Sequence, residues 1–90
     1  MPQTNIKRAQ ARAKRYGVRV SPSRRKHKKL DVFKCTNANV CKRIASIGDK
    51  RYSDFLQHGN HKRRRLYKKR HEKDRHQKGT AGFYADKILW

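Results

Sequence analysis

The sequence predicts an α+β fold: a small single domain with a basic N-terminal helical arm, a β-hairpin, a basic helix and an aromatic C-terminal segment. Three observations predict it. β-Forming residues stand on both sides of a polar turn within residues 30–47, helix-forming Lys and Arg crowd residues 60–74, and six of the eight aromatics fall within residues 51–90. Ninety residues, a third of them apolar, allow one modest core.

Residues 1–29 carry eleven Lys and Arg and no acid, and read as an arm outside a domain of residues 30–90. Within the arm Ile6, Ala9, Ala13 and Tyr16 recur at helical spacing, predicting a helix over about 5–16 that Thr4 or Asn5 caps and Gly17 ends. The stripe is thin and its other faces are cationic, so this helix is expected to order only against a surface. Ser21-Pro22-Ser23 then breaks any helix.

Residues 30–35 and 40–47 are rich in β-formers, and Thr36-Asn37-Ala38-Asn39 between them has the residues of a turn, predicting a hairpin over 30–47. On a two-residue period Leu30, Val32, Ile44 and Val40 share one face, and Phe33, Cys35, Cys41 and Ile47 share the other. A short capped helix over about 52–57 follows, and a basic helix runs from Asn60 as N-cap to about Asp74. Lys78-Gly79-Thr80 interrupts it, and a last helix over about 82–89 carries the apolar load. Tyr52, Phe55, Leu66, Tyr67, Phe83, Leu89 and Trp90 are the expected core or anchoring residues.

The formal charge of +21, from 27 Lys and Arg against six acids, points to an anionic partner: nucleic acid, an anionic membrane surface or an acidic protein. Arg24, Arg25, Lys26, Lys28 and Lys29 in the first cluster, and Lys62, Arg63, Arg64, Arg65, Lys68, Lys69 and Arg70 in the second, are the candidate contacts. Such clusters give strong, salt-sensitive attachment to phosphates without sequence preference. No apolar run approaches the roughly 20 residues of a membrane span, and no secretion-type apolar core follows the first residues.

Cys35 and Cys41 flank the hairpin turn, and three readings stay open: a cross-strand disulfide, two reduced thiols, or a zinc site with His58, His61, His71 or His76. The histidine spacing matches no familiar zinc pattern, so no metal and no cofactor are expected. Asp54, His58 and His61 stand at i, i+4 and i+7, a weak constellation for acid–base work. Asp54 is better suited to a cap or an ion pair. With no paired carboxylates, phosphate loop or nucleophile motif, a binding protein is expected, with no enzyme activity and no small-molecule substrate.

The order Lys28-Lys29-Leu30-Asp31-Val32-Phe33, Gly48, Tyr52-Ser53-Asp54-Phe55, His58, Arg63, Tyr67, Arg70-His71, Thr80-Ala81-Gly82-Phe83 and Leu89-Trp90 resembles a family of small basic proteins. These proteins are encoded by nucleocytoplasmic large DNA viruses such as phycodnaviruses and iridoviruses, and the likeness covers about residues 24–90. This chain departs in its more basic helix after His58, which lacks acids near residues 60–64. The resemblance implies a virion structural protein made in the host cytoplasm. In one form it is a minor capsid or cement protein inside the shell, bridging major capsid protein and other capsid proteins or the inner membrane through basic surfaces and an aromatic anchor. In the other it is a core protein that condenses the genome by non-specific nucleic-acid binding. Ribosomal-type RNA binding is a third reading, which the charge of +21 serves equally and which the resemblance does not imply.

Overall fold

The computed structural model describes residues 3–90. Strands β1 (Arg19–Pro22), β2 (Lys28–Cys35) and β3 (Cys41–Asp49) form an antiparallel sheet in the order β1-β2-β3. Helices α1 (Gln3–Lys14), α2 (Phe55–His58), α3 (His61–Arg70) and α4 (Ala81–Tyr84) complete the α+β domain, and α4 runs on into one π-helical turn, Ala85–Leu89.

The basic first third is part of this domain, contrary to the expected arm. Ala9 and Ala13 of α1 are fully buried, and Val18 and Val20 join them in the cluster of Leu30, Val32, Ile47, Leu56, Ile88 and Leu89. The surface that α1 needs is supplied by its own chain. Gly17, at φ 72°, lets Val18 N–H reach back to the Ala13 carbonyl at 3.3 Å and close the helix. The Arg12 guanidinium donates to the Ile88 carbonyl at 3.1 Å, tying this helix to the C-terminal segment. α1 already runs at Gln3, so it does not begin at the expected Thr4 or Asn5.

β1 was not foreseen as a strand. It sets Val20 against Val32 and ends on Pro22, which an edge strand tolerates because an outward position needs no N–H. The predicted hairpin is present, with Asn39 at φ 60° in its turn and Cys35 opposite Cys41. Its faces differ from the expectation. Extending the Cys35–Cys41 register places Val32 opposite Ile44, but a bulge between Val32 and Phe33 shifts the ladder by one residue, so that Leu30 faces Ile47. Ile47 is buried, whereas Ile44 and Val40 are 38% and 65% exposed.

After β3, Gly48 holds a φ of 77°, and a Cβ there would lie 2.8 Å from Leu89 Cδ1, so glycine lets the C-terminal segment close on the strand. Asp54 caps α2 in a reciprocal box with Gln57, and Asn60 Oδ1 accepts the Arg63 N–H to start α3. α3 ends at Arg70, short of the expected Asp74. Glu72 and Asp74 stand where a helix C-terminus disfavours negative charge, and both bind side chains in the turns that follow. Thr80 Oγ1 accepts the Phe83 N–H and caps α4.

Candidate nucleic-acid interface

Five of the six acids pair with Lys or Arg of the fold, and the sixth, Asp74, lies 3.3 Å from the His71 imidazole. Asp31 lies 3.9 Å from Arg43, Asp49 2.8 Å from Arg51 and Asp54 2.8 Å from Lys29. Glu72 pairs with Arg75, and Asp86 with Lys68, Lys87 and Arg75. These pairs engage six of the 27 Lys and Arg side chains, Lys29, Arg43, Arg51, Lys68, Arg75 and Lys87. The other twenty-one make no ion pair among the described residues.

Three of the residues expected to meet a partner instead hold the fold. Lys29 is buried, with its ammonium 2.8 Å from Asp54 Oδ2 and 2.6 Å from Gln57 Oε1, so it fixes the cap of α2 to β2. Lys68 donates to Asp86 Oδ1 at 2.8 Å, and Asp86 has no exposed side-chain surface. Arg64 donates through Nε to the main-chain oxygen of Trp90 at 2.7 Å. Burial opposes charge on Asp86, but the Lys68 and Lys87 ammonium groups outweigh it and hold its carboxyl below the usual range. Asp31 behaves alike, with the Ser23 and Ser46 hydroxyls, each 2.7 Å from Oδ1, outweighing its burial.

The remaining candidates form two exposed groups. Arg24, Arg25 and Lys26 make the tip of the β1–β2 connection, with Lys28 half-buried behind them. Lys62, Arg63, Arg65, Lys69 and Arg70 line the outer side of α3, a helix with no buried residue. The tip is held beside the β3–α2 loop, because Lys50 N–H donates to the His27 carbonyl at 3.0 Å.

The expected core aromatics divide. Leu89 and Trp90 are buried, and Phe55, Tyr67 and Phe83 are half-buried. Tyr67 stacks on Trp90, with centroids 4.1 Å apart and planes 4° from parallel, and burial pushes its phenol up to about 12. Tyr52 and Leu66, expected as core or anchoring residues, are 67% and 52% exposed, so neither belongs to the core. Leu66 lies about 200° round the helix from Arg64, on the side away from the core. Tyr52 stands in the β3–α2 loop, with the Arg51 guanidinium over its ring, 5.8 Å from the centroid.

Between that loop and α3 lies an open cleft of about 710 Å³. Tyr52 and Asp49 stand on one wall, Arg63, Leu66 and Arg70 on the other, and Tyr67, Leu89 and Trp90 line its inner part. Its composition of exposed cations around an aromatic and aliphatic interior was not readable from periodicity, because its walls come from separate elements. The interleaving of Tyr52, Tyr67 and Trp90 with Arg63 and Arg70 was the available signal.

The Asp54–His58–His61 constellation dissolves in the fold. Asp54 caps α2 and binds Lys29, while His58 Nδ1 accepts the Asn60 N–H at 2.8 Å. His58 therefore carries its proton on Nε2. Desolvation, with the charge of Arg63, pulls its pKa below the usual value. Among the described residues no group of three His, Cys, Asp or Glu is placed to hold a metal, and no helix is long and apolar enough to cross a membrane. Of the three cysteine readings, the structure carries the disulfide, with Cys35 and Cys41 joined across the hairpin end.

No curated protein and no solved structure matches the chain. One family model does, over residues 18–71, which span β1 to α3 and include both exposed cationic groups. That match covers more than half of the sequence, and the chain belongs to the family it describes, a family of unknown function designated DUF5754.

Proposed function

We propose that this protein binds nucleic acid through its phosphates, without sequence preference, using the outer side of α3 and the tip of the β1–β2 connection. The observation that carries the reading is the distribution of charge. The acids all have partners within the chain, Asp31, Asp54 and Asp86 buried and Asp49, Glu72 and Asp74 nearer the surface, and twenty-one Lys and Arg side chains are left without an ion pair among the described residues. Cations displayed in this way gain most from a polyanion, whose condensed counterions they release. The reading is of a binding protein, with no reaction assigned to it.

The test is the salt dependence of affinity for mixed-sequence DNA and RNA. A log–log slope of about −4 or steeper is expected, since each neutralised phosphate contributes about −0.7 to −0.9. An affinity that hardly changes between about 50 and 200 mM salt overturns the reading.

A second reading is a minor capsid or cement protein of a virion, facing capsid proteins or anionic headgroups. The outer edge of β3 favours it, because that edge pairs with no strand of the sheet, and the strand carries the exposed Ile44 next to Lys42 and Arg43, with the exposed Val40 just before it. The aromatic anchor supports it less, since Trp90 and Tyr67 stack on each other. Stepwise disruption of purified particles, followed by quantitative mass spectrometry, separates the two. Retention with nuclease-treated shells favours cement, and departure with the genome favours condensation.

A further inference from the structure

We propose that the cleft between the β3–α2 loop and α3 receives an unpaired nucleobase, so that the ligand of this face is single-stranded nucleic acid. The inference rests on the nucleic-acid reading above and adds what that reading lacks, a place for a base.

Four features carry it. The volume of about 710 Å³ falls in the range of sites that hold compact organic ligands, and a base fits within it. The inner lining is aromatic and aliphatic, from Tyr67, Leu89 and Trp90; the Tyr67 ring already lies between those of Trp90 and His71, so this lining offers an apolar floor to the edge of a heterocycle and leaves stacking to Tyr52. Arg63 and Arg70 stand on the α3 wall with no ion pair among the described residues, and are free for the phosphates flanking a seated base. No carboxylate competes with these two arginines for that role, because both carboxylates that reach the cleft are already neutralised. Asp49 accepts Arg51 Nη2 at 2.8 Å and Asp54 accepts Lys29 Nζ at 2.8 Å, so neither repels an anion at full strength.

Tyr52 is the fourth feature. It is the most exposed of the large apolar side chains, and it stands at the cleft with no partner in the core. A ring left in water has lost the burial that usually orders it, and base stacking restores that burial without choosing a sequence. A duplex offers the α3 cations the same phosphates but keeps its bases stacked within the helix. A single strand offers both phosphates and a free base, and the cleft provides for both.

Trp90 supplies the readout. It is the only tryptophan, it lines the cleft, and its ring is fixed against Tyr67, so its emission reports on a base entering beside it. The experiment titrates the full chain with a short oligothymidylate, with an abasic strand of equal phosphate number, and with a blunt duplex. The wild type is expected to bind oligothymidylate most tightly and to show Trp90 quenching with that ligand alone. Tyr52→Ala is expected to weaken oligothymidylate binding about tenfold and to leave the abasic strand unaffected, whereas Tyr52→Phe, which keeps the ring, binds as the wild type does.

Equal affinity for oligothymidylate and the abasic strand, with silent Trp90 emission, overturns the cleft assignment and leaves phosphate attachment standing. Failure of all three ligands to bind overturns the phosphate reading itself. Tyr52 is exposed, so its variants keep the fold, and an unchanged melting temperature verifies this.

Discussion

Arg64 and Lys68 stand four residues apart on the inner side of α3, one bound to the Trp90 main-chain oxygen and the other to Asp86. Arg63, Arg65 and Lys69, their immediate neighbours, stand on the outer side without an ion pair among the described residues. The same division recurs in the first cluster, where Lys29 is buried against Asp54 while Arg24, Arg25 and Lys26 are exposed. Residue type does not separate the two populations. What separates them is an acceptor placed by the fold: Lys29 and Lys68 meet the carboxylates of Asp54 and Asp86, Arg64 meets a main-chain oxygen, and a cation offered none of these remains available to a partner.

The most severe break in this division comes from the inner side. Asp86→Ala leaves Lys68, Lys87 and Arg75 converging on a buried site with no acid, and is expected to cost about 3 kcal/mol, seen as a large drop in melting temperature. The lower end of the usual range applies because the Lys68 side chain keeps 24% of its surface in water. An unchanged melting temperature would place Asp86 outside the core. Trp90→Ala removes the ring stacked on Tyr67 and is expected to cost a similar or slightly smaller amount, about 3 kcal/mol, measured by denaturant unfolding. If that variant unfolds like the wild type, the C-terminal segment does not close the core.

A smaller effect sharpens the comparison through pH. His58 is neutral in the fold, and its pKa lies below 6.5 because burial and the Arg63 charge disfavour the imidazolium. As pH falls through about 6.5 the unfolded chain takes up the proton first, so the contribution of His58 is complete above that pH and is lost below it. Unfolding free energy is expected to fall between about pH 7.5 and pH 5, and His58→Gln is expected to flatten that fall. An equal fall in both proteins removes His58 as its cause.

Much of the fold was legible because its signals are local. The Thr36–Asn39 turn with αL at Asn39, the Asn60 cap and the Asp54 cap each depend on a few adjacent residues, and each appears where the chemistry placed it. β1 was missed because four residues ending in proline give no period to count. Ile44 and Ile47 exchanged roles because a single-residue bulge inverts an alternation that is otherwise regular. Of the site, the exposed cations were legible as clusters, but their sorting was not. Lys28 and Lys29 are equivalent in the sequence, and only the arrival of the α2 cap selects Lys29 for burial. For Tyr52 the sequence left core and anchor open, because an aromatic serves either. Its exposure follows from its place in a loop whose neighbour, Asp54, is held by Lys29.

The proposed division gives the outer cations to phosphate and the inner ones to the fold. The most direct measurement replaces Lys62, Arg63, Arg65, Lys69 and Arg70 with Gln together, then records both the melting temperature and the salt slope of affinity for a mixed-sequence single strand. The account predicts a melting temperature close to the wild type and a slope shallower by about 2 to 3.5, at about 0.7 for each phosphate no longer neutralised. A slope that stays as steep as the wild type's, with the fold intact, contradicts the claim.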